Sequence, residues 1–191
     1  QLRQTGRYQV VLTRERDIFL PLRRRIEIAR KNEADLFISV HADSIKSKKL
    51  AGGTVYTLSE KASDAEAAAL AAKENKADII AGVDLNGENG DVLDILLSLA
   101  QRETMNFSAI YANYLVDEFG PRKLIPRRPH RFAGFVVLKA ADVPSVLLEM
   151  GYLSNNADAK RLASRKGQQE IAASIVKATD RYFKNRLAQQ V

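Results

Sequence analysis

A chain of 191 residues suits one domain of ordinary size, and the absence of cysteine excludes disulfides, thiolate metal sites and cysteine nucleophiles. No apolar run approaches the ~20 residues a membrane span needs, so no membrane-spanning helix is expected. The net charge of +7 leaves a polyanionic partner open: nucleic acid, anionic lipid or a wall polymer. Part of that charge gathers in Arg122, Lys123, Arg127, Arg128 and Arg131, interleaved with Pro121, Pro126 and Pro129. No helix-turn-helix, zinc-finger or aromatic RNA-binding pattern accompanies it, so no nucleic-acid partner is expected.

Along the chain, Leu2 to Gln4 reads as the tail of a helix, Gly6 as a turn and Tyr8 to Thr13 as a strand. Residues 22–33 are helical in pattern, with Leu22, Ile26 and Ala29 on one face behind Pro21. Asp35 to Val40 is a nearly continuous apolar run ending at His41, as expected of a strand buried on both faces. Gly52-Gly53 introduces a second strand, Thr54 to Leu58. Residues 63–82 are rich in alanine and charge, and Ser63 with Glu66 has the spacing of a capping box.

Asp91 to Arg102 predicts a helix that is apolar nearly all round, and Asn106 to Phe119 predicts another. A basic, proline-rich loop then leads to two strands, Gly134 to Leu138 and Ser145 to Glu149. Asn155-Asn156 opens a further helix, and Gln168 to Phe183 predicts the last one, with Ile171, Ile175, Ala178 and Tyr182 facing the core. Strands alternating with helices predict an α/β fold with a mostly parallel or mixed sheet flanked by helices.

The chain has two histidines. His41 ends a strand, where α/β sheets present their sites. Glu149 also ends a short apolar strand, and a carboxylate there is costly to bury unless paired or bound to metal. Two ionisable groups at the ends of central strands can converge. His130, in the arginine-rich loop, is expected at the surface. No Gly-x-Ser-x-Gly elbow is present, which argues against a serine hydrolase.

Leu36-Phe37-Ile38-Ser39-Val40-His41-Ala42-Asp43 resembles the second histidine motif of the zinc-dependent amidase-3 family, which trims peptidoglycan. Gly134 to Leu138 and Val143 to Asn155 resemble that family's catalytic-glutamate block, and Val11 to Arg14 resembles the strand before its arginine-rich helix. The resemblance implies an N-acetylmuramoyl-L-alanine amidase, with Zn2+ as cofactor, His41 as a metal ligand and Glu149 as the catalytic carboxylate. It places the family's first strand, its Gly-His-Gly-Gly motif and its glutamate ligand before Gln1. A catalytic domain over 1–191, without those pieces, is therefore expected.

Residues 59–104 exceed an ordinary connection. Lys73 to Ile80 and Gly82 to Leu85 resemble the insertion of cell-division amidases, which implies a helical regulatory insertion that covers and inhibits the site. Glu66 is the expected inhibitory zinc ligand. Val92, Leu93, Leu96 and Leu97 are the expected docking surface for a protein activator of cell-division murein hydrolases. The same resemblance implies a peptidoglycan substrate, a periplasmic location and a monomer. Two alternatives stay open: a zinc peptidase or carboxypeptidase, and a catalytically inactive wall-binding module.

Overall fold

The computed structural model describes residues 1–45, 47–81, 94–120 and 128–188, with side chains in the third stretch from residue 101 onward. A four-stranded mixed sheet, flanked by helices, has the order β1-β4-β2-β3. Its strands are β1 (Phe37–His41), β2 (Thr54–Leu58), β3 (His130–Ala133) and β4 (Ser145–Glu149). The helices are α1 (Leu22–Lys31), α2 (Ala65–Asn75), α3 (Ala77–Ile80), α4 (Asp94–Phe119), α5 (Asn156–Ala163) and α6 (Arg165–Ala188).

β4 is the organising strand. It runs parallel to β1 and antiparallel to β2, and all five of its residues are buried. Because side chains alternate across a strand, Val146 and Leu148 point to one face and Leu147 to the other. The first face packs against α4 and α6 through Tyr111, Leu115, Phe119, Ala178 and Tyr182. The second packs against α2 and the segment after β3 through Ala67, Leu70, Ala71, Phe135 and Leu138. Glu149 shares its parity with Leu147, so it projects to the face that α2 covers.

Several elements differ from their sequence patterns. Residues 8–13 have no strand pairing among the described residues. A strand exists only by bonding to a neighbour, and a cavity of about 1230 Å³ lies between this segment and β1. β1 is accordingly an edge strand, with Val40 half exposed rather than buried on both faces. The strand expected at 134–138 lies earlier, at β3, and Val136–Leu138 is a 3-10 turn. β3 is thus cut from the end of the basic loop, where buried Arg131 bonds to Glu66 and faces Asp64.

His130 is half-buried instead of exposed, its Nε2 3.0 Å from Thr57 Oγ1. The two helices expected between 91 and 119 are one, α4, with Thr104 Oγ1 donating to Ala141 O beside their supposed junction. Val92 and Leu93 lie outside the described residues, as do the side chains of Leu96 and Leu97 in the backbone of α4.

The helical stretch expected over 63–82 is resolved into α2 and α3. Its cap is Asp64 and not Ser63: Asp64 Oδ1 accepts from Ala67 N at 2.8 Å, and Ser63 Oγ donates to Asp64. A carboxylate outcompetes a hydroxyl here because it also meets the positive end of the helix dipole. Asp64→Ala should therefore lower stability by about 1 kcal/mol in chemical denaturation. Ser63→Ala should cost clearly less, and the reverse order would return the cap to Ser63.

Candidate metal centre

The site follows from register. β1 and β4 pair so that His41 stands directly opposite Glu149, and β2 brings Thr54 opposite Glu149 on the other side. Paired residues on neighbouring strands point to the same face, so the two ionisable groups meet without any loop arranging them. Met150 N donates to His41 O at 2.9 Å, extending the ladder past both.

Around this pair the polar groups close in. Ser39, two positions before His41 and on the same face of β1, places its Oγ 3.0 Å from His41 Nε2. If that nitrogen donates to Ser39, Nδ1 keeps its lone pair for the opposite side. Three carboxylates surround Nδ1: Glu74 Oε2 at 3.4 Å, Asp43 Oδ2 at 3.9 Å and Glu149 Oε1 at 4.0 Å. Glu149 is fully buried. Its Oε2 accepts from Asp43 N at 3.1 Å. Its Oε1 and the Oδ2 of Asp43 are buried without a hydrogen-bond partner among the described residues. Two such acceptors turned on one another need a proton or a cation between them.

The electrostatics agree. Burial, then the Asp43 charge, pushes the Glu149 carboxyl up to about 8. Burial and the same Asp43 charge push Glu74 up to about 7. Burial also works against Asp43, but the hydrogen bond and charge of Lys73, with Nζ 2.8 Å from Oδ1, hold it below the usual carboxylate range. Burial lowers His41 below its ordinary value, against the pull of Asp43. The cluster is thus a neutral imidazole beside carboxylates that cannot all stay ionised alone. His41, Asp43 and Glu149 offer ligand atoms within 4.8 Å of one another. One imidazole and two carboxylates suit a divalent cation of the zinc type.

His41 and Glu149 come together as the strand ends suggested. Glu66 does not join them. Its Oε2 accepts from Arg131 Nη1 at 2.9 Å, and its side chain is 59% exposed. The reason is direction: β2 is antiparallel to β4, so Thr54 lies at the site and Leu58 at the far end of the sheet. α2 starts at that far end and runs back, and Glu74, roughly 12 Å further along the helix at ~1.5 Å per residue, is the carboxylate that arrives. Sequence reasoning gave no separate role to Asp43, Ser39 or Glu74, although all three lie within the stretches that carried the resemblance. For Ser39 and Asp43 the signal was their two-residue spacing from His41.

Comparisons with known proteins give the chain's family and fold. The sequence pattern of the N-acetylmuramoyl-L-alanine amidases called Amidase_3 matches residues 1–181. The N-acetylmuramoyl-L-alanine amidase AmiC of Escherichia coli is 36% identical over 95% of this chain and 44% of its own length. AmiA of Escherichia coli, also an N-acetylmuramoyl-L-alanine amidase, is 37% identical over 90% of this chain and 60% of its own length. The chain therefore spans roughly half the length of these relatives. Among solved structures, the catalytic domain of CwlV from Bacillus (Paenibacillus) polymyxa superposes with a TM-score of 0.65 at 25% identity, covering 96% of this chain and 76% of that one. AmiC2 of Nostoc punctiforme gives a TM-score of 0.62 at 25% identity, with the same coverage of 96% and 76%.

The raised carboxyls make a pH test. A carboxyl with a raised folded pKa stabilises fully below its ordinary value of 4.5, and that stability is lost as pH rises through about 7 for Glu74 and about 8 for Glu149. Metal-free protein should therefore melt at progressively lower temperature between pH 5 and pH 9. Glu149→Gln, which cannot ionise, should flatten that decline. An unchanged slope in the variant would mean that Glu149 is not a source of the strain.

Proposed function

Since the chain belongs to the N-acetylmuramoyl-L-alanine amidase family, we propose that it hydrolyses the amide bond between the lactyl group of N-acetylmuramic acid and L-alanine in peptidoglycan. The observation that carries this reading is the pair of buried, unpartnered oxygens on Asp43 and Glu149 turned toward His41 Nδ1. A cation held at His41 would offset the charge of both carboxylates. When bound, zinc supplies a Lewis acid that polarises the scissile carbonyl and makes water nucleophilic at neutral pH.

The residues then divide the work. His41 would hold the metal through Nδ1, with its ring aimed by Ser39 through the other nitrogen. Glu149 takes a proton from the attacking water and delivers it to the nitrogen of L-alanine as the C–N bond breaks. The second proton of the water passes from the new lactyl carboxylic acid to the amine, so the products are the lactyl carboxylate and the ammonium of L-alanine, and atoms and protons balance. Burial and Asp43 hold the proton on Glu149 in the bare site, and a neighbouring cation opposes both and favours the base form. Asp43 keeps its charge because Lys73 faces it. It also fixes Glu149 Oε2 through its backbone amide, which leaves Oε1 for the reaction.

The same reading makes residues 59–104 a regulatory insertion whose helix α2 closes the site. Glu74 takes the inhibitory role expected of Glu66: with its Oε2 3.4 Å from His41 Nδ1, it would be held against the metal ligand where the substrate must approach. A protein activator would draw α2 away. The substrate puts the working enzyme outside the cytoplasm, in the periplasm of a bacterium with two membranes.

In the full-length, zinc-loaded protein, Glu149→Ala should reduce release of dye-labelled material from sacculi by ~10²–10⁴-fold while zinc content stays near that of the parent. His41→Ala should lose zinc and activity together. Retention of a tenth of the activity by the Glu149 variant would remove it from the general-base role. Glu74→Ala should digest sacculi faster than the parent when no activator is present. Equal rates would show that Glu74 does not hold the site closed.

A further inference from the structure

α2 carries Glu74 to the site, and the neighbours of Glu74 also tie the helix down, though they differ in how much each can contribute. Lys73 donates to Asp43 at 2.8 Å, yet the lysine side chain is half exposed, and such ion pairs are worth little. Asn75 is clamped on both sides: its Nδ2 donates to Gly134 O and its Oδ1 accepts from Val136 N, each at 2.8 Å. Asp78, on α3, is 3% exposed, and its carboxylate accepts from Leu22 N through Oδ1 at 2.9 Å and Oδ2 at 3.2 Å.

That last contact is unusual in its reach. Leu22 is the first residue of α1, and the residue before it, Pro21, has no side-chain group to cap the helix. A helix leaves its first amides unsatisfied, and a residue at its own N-cap ordinarily fills one. Here the cap comes from a different element, 56 positions along the chain. A buried carboxylate that loses its donor is left without a partner, which makes the contact expensive to break.

We infer that Asp78 is the anchor that sets how often the inhibitory helix lifts, and that opening the site uncaps α1. This rests on the proposal that α2 inhibits the enzyme. α1 and the α2–α3 pair then move as one cooperative unit: a partner that pulls on the insertion must also release the first turn of α1, and anything that secures that turn closes the site. Asp78 touches none of the groups around His41, so it acts through the position of α2.

The test uses the full-length, zinc-loaded protein without activator, in its parent form and as Asp78→Ala, Asp78→Asn and Glu74→Ala. Two quantities are read: dye release from sacculi, and hydrogen exchange of the segments 20–31 and 65–80. Asp78→Ala should raise exchange in both segments and raise basal hydrolysis roughly 5- to 30-fold, the effect of losing one buried hydrogen bond to a charged group. Asparagine caps helices as well as aspartate does, so Asp78→Asn should sit close to the parent in both readouts. Glu74→Ala should raise hydrolysis without loosening the first turn of α1. If Asp78→Ala leaves exchange of 65–80 unchanged, the anchor is wrong, whatever the activity. If exchange rises in both segments and hydrolysis does not, the anchor holds α2 but does not set a working inhibition, and Glu74→Ala will have failed as well. Should the alanine variant not fold, Asp78→Ser keeps a weaker acceptor and carries the same comparison.

Discussion

The pairing of β1 with β4 is the constraint on which the rest depends. One register sets His41 against Glu149, and a slip of one strand by one residue would put the two on opposite faces of the sheet. The hydrophobic pattern of β4 forbids that slip, because Val146 and Leu148 are committed to the α4–α6 core and Leu147 to the α2 side. Core packing thus determines where the chemistry lies. Gly53 adds a second constraint, since a β-carbon there would come within 3.1 Å of Glu149 O and 3.3 Å of the Phe119 ring. The strand bearing Thr54 can approach the backbone of Glu149 this closely only because that side chain is missing.

Much of this was legible in the sequence, and for a physical reason. Apolar runs that end in an ionisable residue are rare, and the ends of β1 and β4 are two of them. The helix pattern of 22–33, observed as 22–31, and the closing helix were equally plain, since their apolar faces are periodic. What was hidden depended on long-range partners. Arg131 reads as solvated loop until Asp64 and Glu66 are seen beside it, and only then can β3 be a strand. Thr104 marks no break in α4, because its hydroxyl finds Ala141 O, well removed in sequence.

The exchange of Glu66 for Glu74 is the sharpest case. Its place in the first turn of the insertion, close in sequence to a strand leaving the site, favoured Glu66. A strand that leaves the site carries that first turn away with it, to the far end of the sheet. The helix that follows must then cross back over the sheet, so its last turn, not its first, meets His41. The carboxylates gathered there explain the electrostatics as well: Asp43 and Glu74 each raise the cost of ionising Glu149, while Lys73 relieves Asp43 and, more weakly than burial opposes it, Glu74.

The two strands that build the site come from positions 37–41 and 145–149, far apart along the chain. Contacts of such separation close large loops, and they form late and slowly compared with helices. During synthesis the histidine strand emerges long before its partner. Until β4 docks, His41 is a solvated imidazole with no buried carboxylates around it and no special hold on a cation. The cluster of ligand atoms is therefore complete only when the fold is, and an unfolded chain offers a cation three scattered side chains in place of one site.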